Sequence, residues 1–125
     1  MPYTYTIEDR IVHIAWAGVI SKDDLQSIGK DIPRLAGLLG FAPDVLHTFD
    51  GMTGYSFQPI AAYVLSLVRK RVTIPHPVRS ASVAKTPEMQ KMARFFQSLN
   101  RTKNLEMEVF ESEGAARHWL AHKDR

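Results

Sequence analysis

The residues able to do chemistry in this chain are few and widely spaced. His118 and His122 stand one helical turn apart, the spacing at which two imidazoles share a metal ion. The acid of a His-Glu-x-x-His motif is absent, since Trp119 follows His118, and the sequence places no third ligand. No metal and no cofactor are expected. Ser56, Ser82 and Thr86 are the candidate nucleophiles, and His13 and His47, each within a strand pattern, are the histidines nearest to serving as bases. Acyl transfer needs a base within hydrogen-bond reach of the nucleophile and a place for the oxyanion. No Gly-x-Ser-x-Gly elbow and no Gly-x-x-x-x-Gly-Lys phosphate loop is present. The chain has no cysteine, which removes disulfides, thiolate ligands and thiol nucleophiles together and is compatible with a reducing cytosol. A non-enzymatic protein is expected.

Three segments could bind instead. The first is Asp50-Gly-Met-Thr-Gly-Tyr-Ser56. Open α/β sheets bind ligands beyond the carboxyl ends of their strands, at helix N-termini. Asp50 would end a strand there, Gly51 and Gly54 permit unusual backbone angles, and Thr53, Tyr55 and Ser56 supply hydroxyls. The helix start that follows could hold an anion on its free N–H groups. Turn chemistry alone explains the same residues, with Asp50 capping and the glycines shaping a loop.

The second is a helix expected from Phe57 to Val72, whose face carries Ile60, Tyr63, Val64, Leu67 and Val68. Phe57, Tyr63 and Leu67 could line a groove for a small apolar or lipid-like ligand, in a cavity of roughly a few hundred cubic ångströms. The same stripe also suits an ordinary core face. The third is a patch on a later helix. Met89, Met92, Phe96 and Leu99 recur on one face there, and Phe95 falls beside it, so Met92 with an exposed Phe95 could seat a protein partner or a second copy.

The net charge is +3, with a basic run at Arg69-Lys70-Arg71. Basic runs commonly end helices and complement their dipole. No aromatic stacking platform is interleaved with this one, so nucleic acid is not an expected partner. The stretch Ile60 to Val68 is much shorter than the about 20 residues needed to span a bilayer. The first ten residues lack the basic and apolar regions of a signal peptide. A soluble, cytoplasmic chain is expected.

At 125 residues, with 45% hydrophobic and 23% charged residues, the chain suits one domain with one core. Tyr3–Ile7 and Arg10–Ala17 alternate apolar and polar residues around Glu8-Asp9 and read as a hairpin, with His13 opposite Val12 and Ile14. Ser21 reads as a helix cap with Asp24 completing its box. Leu25, Ile28, Ile32, Leu35 and Leu39 form one helical face that Gly40 ends and Pro33 should kink near Asp31. Asp44–Phe49 reads as a strand that the Gly-rich segment after it terminates, and Val78–Ala84 as a strand of small residues. Thr86-Pro87-Glu88 opens a helix, Leu105–Phe110 is a strand, and Ser112 caps a final helix buried through Ala115, Ala116, Trp119 and Leu120. The resulting class is α/β: a hairpin, then alternating strands and helices, giving a mainly parallel sheet covered by helices.

This order of elements, the segment Thr86-Pro-Glu-Met-Gln-Lys-Met-Ala-Arg-Phe-Phe-Gln97 and the ending Phe110-Glu-Ser-Glu-Gly-Ala-Ala-Arg-His-Trp-Leu120 resemble the SpoIIAA-like proteins, bacterial relatives in fold of the STAS domains. The resemblance spans nearly the whole chain, residues 1–125, as one SpoIIAA-like domain. It implies a regulatory binding module rather than a catalyst, acting through a protein partner or self-association. The antagonist branch is phosphorylated on a serine in an Asp-Ser-Ser-Gly-like motif. Asp50-Gly-Met-Thr-Gly stands in its place, so a phospho-switch on Thr53 or Ser56 does not carry over. Some relatives of the fold resemble lipid-binding CRAL-TRIO domains, which is the resemblance's own link to an apolar ligand.

Overall fold

In the computed structural model, which describes residues 3–58, 74–100 and 102–122, five strands form one sheet in the order β1-β2-β3-β4-β5. β1 (Tyr3–Glu8) and β2 (Ile11–Ile20) form the antiparallel hairpin, turned by Asp9 at φ 59°. β3 (Asp44–Tyr55), β4 (Val78–Val83) and β5 (Leu105–Phe110) then add in parallel. Helix α1 (Lys22–Leu39) joins β2 to β3, α2 (Pro87–Leu99) joins β4 to β5, and α3 (Glu113–Ala121) follows β5. The α/β class and the N-terminal hairpin stand as the alternation of periods implied.

The helix caps are those the sequence supplies. Ser21 and Asp24 close a reciprocal capping box, Thr86 accepts from the Met89 N–H with Pro87 at the helix start, and Ser112 accepts from the Ala115 N–H. Gly40 ends α1 in the left-handed region at φ 82°, where a side chain would be strained. Strand alternation splits the apolar residues between two faces. Val12, Ile14, Trp16, Val45 and Phe49 meet Leu25, Ile28, Leu35 and Met92 beneath α1 and α2. Leu46, Ala81 and Val83 meet Ala116 and Leu120 beneath α3.

Three expectations are corrected. Pro33 does not interrupt α1, which runs unbroken to Leu39. Pro33 lies on the exposed face, where water can take the carbonyl its missing N–H leaves unbonded. The Gly-rich segment after Phe49 does not end β3. It continues to Tyr55 because β2 also continues, to Ile20, and the two pair through register shifts at Ala15/Ala17 and Gly18/Val19. Glycine inside a strand marks a bulge or a close approach. Gly51 is such an approach: a Cβ there would stand 3.1 Å from the Ala17 Cβ and 3.2 Å from the Trp16 carbonyl oxygen. Finally, Ser56–Gln58 are not helical; the rest of the expected second helix, 59–72, lies outside the described residues, as do Tyr63, Leu67 and the basic run at 69–71.

Candidate functional site

β4 reads Val-Arg-Ser-Ala-Ser-Val. Its period of two sends Arg79, Ala81 and Val83 to the α3 side and leaves Val78, Ser80 and Ser82 facing α2. Serine fills less space than the leucine or isoleucine that a parallel sheet ordinarily places there. The shortfall leaves a cavity of about 120 Å³ between the sheet and the helices. Trp16 of β2 and His47 and Phe49 of β3 form one side; Leu105 and Met107 of β5 form the other; Met92, Ala93 and Phe96 of α2 lie across it. Phe57 also lines it and packs on Phe96 with ring centroids 5.4 Å apart.

Three rings on the β2–β3 side have nearly parallel planes. Trp16 and His47 are 24° apart, Trp16 and Phe49 13°, and His47 and Phe49 12°. The Trp16 indole N–H donates to His47 Nδ1 at 3.0 Å. An indole N–H can only donate, so Nδ1 is the acceptor and the neutral ring carries its proton on Nε2. This bond locks both rings against the cavity. Asn100, between α2 and β5, donates through Nδ2 to the Leu105 carbonyl at 2.8 Å and accepts from the Thr102 N–H at 3.0 Å. Ser82 stands apart from these. It is only 8% exposed, its hydroxyl bonds to no other side chain or carbonyl among the described residues, and it lines the cavity. No Asp, Glu, Lys or Arg lines the cavity among the described residues.

The segment Asp50 to Ser56 is the end of β3 and extended chain rather than a loop. Asp50 pairs with Lys85 at 3.1 Å in the open, with both side chains more than half exposed. Gly51 and Gly54 pair with Ala17 and Val19, and neither has a positive φ. Thr53 is exposed, Tyr55 stacks on Phe57 at 4.9 Å, and the Ser56 N–H donates to the Ile20 carbonyl. Ser56–Gln58 are not helical, and the residues that follow them lie outside the described ones. The Met92–Phe95 patch is likewise corrected. Met92 is buried at 6% exposure, and Phe95 is half-buried, packed against the core and edge-on to Phe96. A helical stripe of about 100° or more takes in such a neighbouring position.

The other candidates are accounted for by local bonds. Thr86 caps α2. The His118 and His122 rings stack at 4.0 Å, and His122 Nδ1 donates to the His118 carbonyl at 2.7 Å. Among the described residues no group of three His, Asp or Glu could hold a metal.

A relay on the α3 side has no counterpart in the sequence reading. His13 Nδ1 lies 3.1 Å from Glu8 Oε2, and His13 Nε2 lies 3.0 Å from Thr48 Oγ1. Glu8 also pairs with Arg117 at 2.9 Å, which, ahead of burial acting the other way, holds its carboxyl below the usual range. A carboxylate only accepts, so His13 donates from Nδ1 to Glu8, and with a single ring proton Nε2 accepts from the Thr48 hydroxyl. Hydroxyl, imidazole and carboxylate in this order can activate a nucleophile. Here the hydroxyl belongs to a threonine only 7% exposed, on the face that α3 covers. The network ties β1, β2, β3 and α3 together. Its signal in the sequence is only the spacing of Glu8 and His13 across the hairpin; Thr48 joins them through the tertiary fold.

A five-stranded sheet with one antiparallel edge pair, parallel strands joined by helices on one face, and a last helix on the other is a SpoIIAA-like fold. The chain is similar to an uncharacterized protein from the DUF3478 family with a SpoIIAA-like fold, from Shewanella loihica PV-4. The TM-score is 0.58 at 15% sequence identity, over 94% of this chain and 91% of that chain. No family model matches the sequence, and no curated protein matches it. Identity at that level carries the fold and leaves function to be argued from the site. Among the described residues no helix is long and apolar enough to cross a membrane.

Proposed function

We propose that this protein is a non-catalytic, cytoplasmic binding module whose site is the cavity beneath α2, and that its occupant is a small, mainly apolar molecule. The observation that carries this reading is Ser82, a residue only 8% exposed whose hydroxyl bonds to no other side chain or carbonyl among the described residues and borders an apolar cavity. No fully buried side-chain nitrogen or oxygen among the described residues lacks a partner, so the Ser82 hydroxyl is open to water in the cavity. A ligand with a polar edge can take that water's place on Ser82 while its apolar part covers the surrounding wall. The volume narrows the ligand: about 120 Å³ is below the roughly 300 Å³ at which drug-sized sites begin. A lipid-like ligand would exceed this volume and extend past the described walls.

Native mass spectrometry of the protein purified from its own cells tests this. A small non-covalent adduct is expected on the wild type and none on Ser82→Val, which fills part of the cavity and removes the hydroxyl. Ser82→Val should also stabilise the empty chain by about 0.5–2 kcal/mol in urea unfolding, as cavity filling does. A bare wild type, together with a destabilised variant, would remove the reading.

Self-association is a second reading, and a different surface favours it from the one the sequence suggested. β1 is an edge strand, Tyr5 and Ile7 on it are 38% and 47% exposed, and Leu38 of α1 is 75% exposed. Tyr3 bonds Asp31, and the hydroxyl of Tyr5 is the first influence holding the Arg34 guanidinium charged, so α1 runs alongside β1. Two residues of strand and four of helix cover nearly equal lengths, about 6–7 Å. Ile7 and Leu38 therefore come next along the two elements and extend one apolar strip. A six-residue edge strand without proline or lysine is open to pairing with a second copy about a two-fold axis. Light scattering across a concentration series should show a dimer that Ile7→Lys reduces to monomer; a wild-type monomer throughout would end this reading.

A further inference from the structure

We infer that the occupant of the cavity is a neutral, planar molecule of a single aromatic ring with a hydrogen-bonding group on its edge, the phenol class. The inference rests on the binding reading above and narrows it to a chemical class. Size sets the first limit. An apolar cavity of roughly 150 Å³ holds benzene, and this one, open on one side, measures about 120 Å³, room for a single ring rather than a larger molecule. Shape sets the second. The Trp16, His47 and Phe49 planes lie within 12° to 24° of one another, so a flat ring can stack against them where a puckered one leaves gaps. Charge sets the third. No charged side chain stands among the described lining residues, so a buried carboxylate or ammonium would find no opposite charge among them.

Ser82 sets the fourth. Its hydroxyl is the group in the described wall that bonds to no other residue there, whereas the Trp16 N–H is committed to His47. It can donate or accept, so a phenolic O–H answers it either way. A ring without a polar edge would fill the space and leave Ser82 unsatisfied.

The test titrates the full chain, isotope-labelled for amide NMR, with phenol, benzene, cyclohexanol and benzoate. Phenol should shift resonances around Ser82 and Phe96 and bind about fivefold tighter than benzene, the gain from one neutral hydrogen bond. Cyclohexanol, a six-membered ring with a hydroxyl that is bulkier and not flat, and benzoate, flat but charged, should bind more weakly than phenol. Ser82→Ala should bring phenol to the affinity of benzene. Equal binding of phenol and benzene by the wild type overturns the role of Ser82. Cyclohexanol or benzoate binding as tightly as phenol overturns the class and leaves the cavity a binding site. No shift at the cavity from any of the four overturns the binding reading itself.

Discussion

Trp16→Ala is expected to lower the free energy of unfolding by about 3–5 kcal/mol, the range for truncating a buried aromatic residue. Trp16 is 4% exposed and lies in the larger of the two apolar clusters. Its ring centroid is 4.9 Å from that of Tyr3, 6.1 Å from that of His47 and 6.4 Å from that of Phe49. Two losses combine. The indole leaves a hole bordering a cavity that is already present, so neighbours have little to collapse onto. His47 Nδ1 also loses the donor that fixes its tautomer. Against a total stability of about 5–15 kcal/mol for a domain, this is a large share of what holds the chain folded. Trp16→Phe separates the two losses: it keeps most of the packing and gives up the hydrogen bond, for about 1 kcal/mol. Urea unfolding followed by circular dichroism reads both variants. A loss below about 2 kcal/mol for the alanine variant would mean that the ring cluster relaxes around the hole, contrary to close packing.

The weight carried by Trp16 shows what the sequence can and cannot disclose. Its burial is legible, because Val12, Ile14 and Trp16 alternate along a strand. So are the helix starts at Ser21, Thr86 and Ser112, because capping is a local matter settled within three residues. Bulges are not local. Asp50-Gly-Met-Thr-Gly has the composition of a turn, and only the presence of β2 out to Ile20 makes it a strand. Nor is the limit of an apolar stripe: Phe95 is one position away from Phe96, and the width of the buried face decides whether it is covered. The cavity is harder still, since it is defined by what is missing. Ser80 and Ser82 on one face of β4 are its trace in the sequence, but small residues there acquire meaning only when Trp16, Leu105 and α2 are known to surround them. The Thr48–His13–Glu8 relay needs three strands in register before it exists at all.

Tyr3→Phe should flatten the pH dependence of stability at both ends. The Tyr3 hydroxyl donates to Asp31 Oδ2 at 2.6 Å, joining β1 to α1. That bond is the leading reason the Asp31 carboxyl sits below its ordinary value; burial opposes it and Arg34 assists it. A lowered carboxyl binds fewer protons in the folded chain than in the unfolded one. Its stabilisation is therefore present above about pH 4 and is lost as the pH falls through the folded value. The Tyr3 phenol is pushed well above its ordinary value, first by burial and then by Asp31. A raised acid keeps its proton longer when folded, so its stabilisation is intact below about pH 10 and declines as the pH rises beyond it. At pH 7, between these two flanks, the variant should lose about 1.5–3 kcal/mol, the contribution of a hydrogen bond to a charged group. Asp31→Asn keeps an acceptor for Tyr3 but has no titrating carboxyl, so it should remove the acid flank and retain part of the alkaline one. Urea midpoints measured across the pH range, with tyrosine ionisation followed by absorbance, give both flanks from one set of samples. If Tyr3→Phe and the wild type lose stability in parallel above pH 10, then another group drives alkaline unfolding, and the link from β1 to α1 is a packing contact in which the charge on Asp31 plays no part.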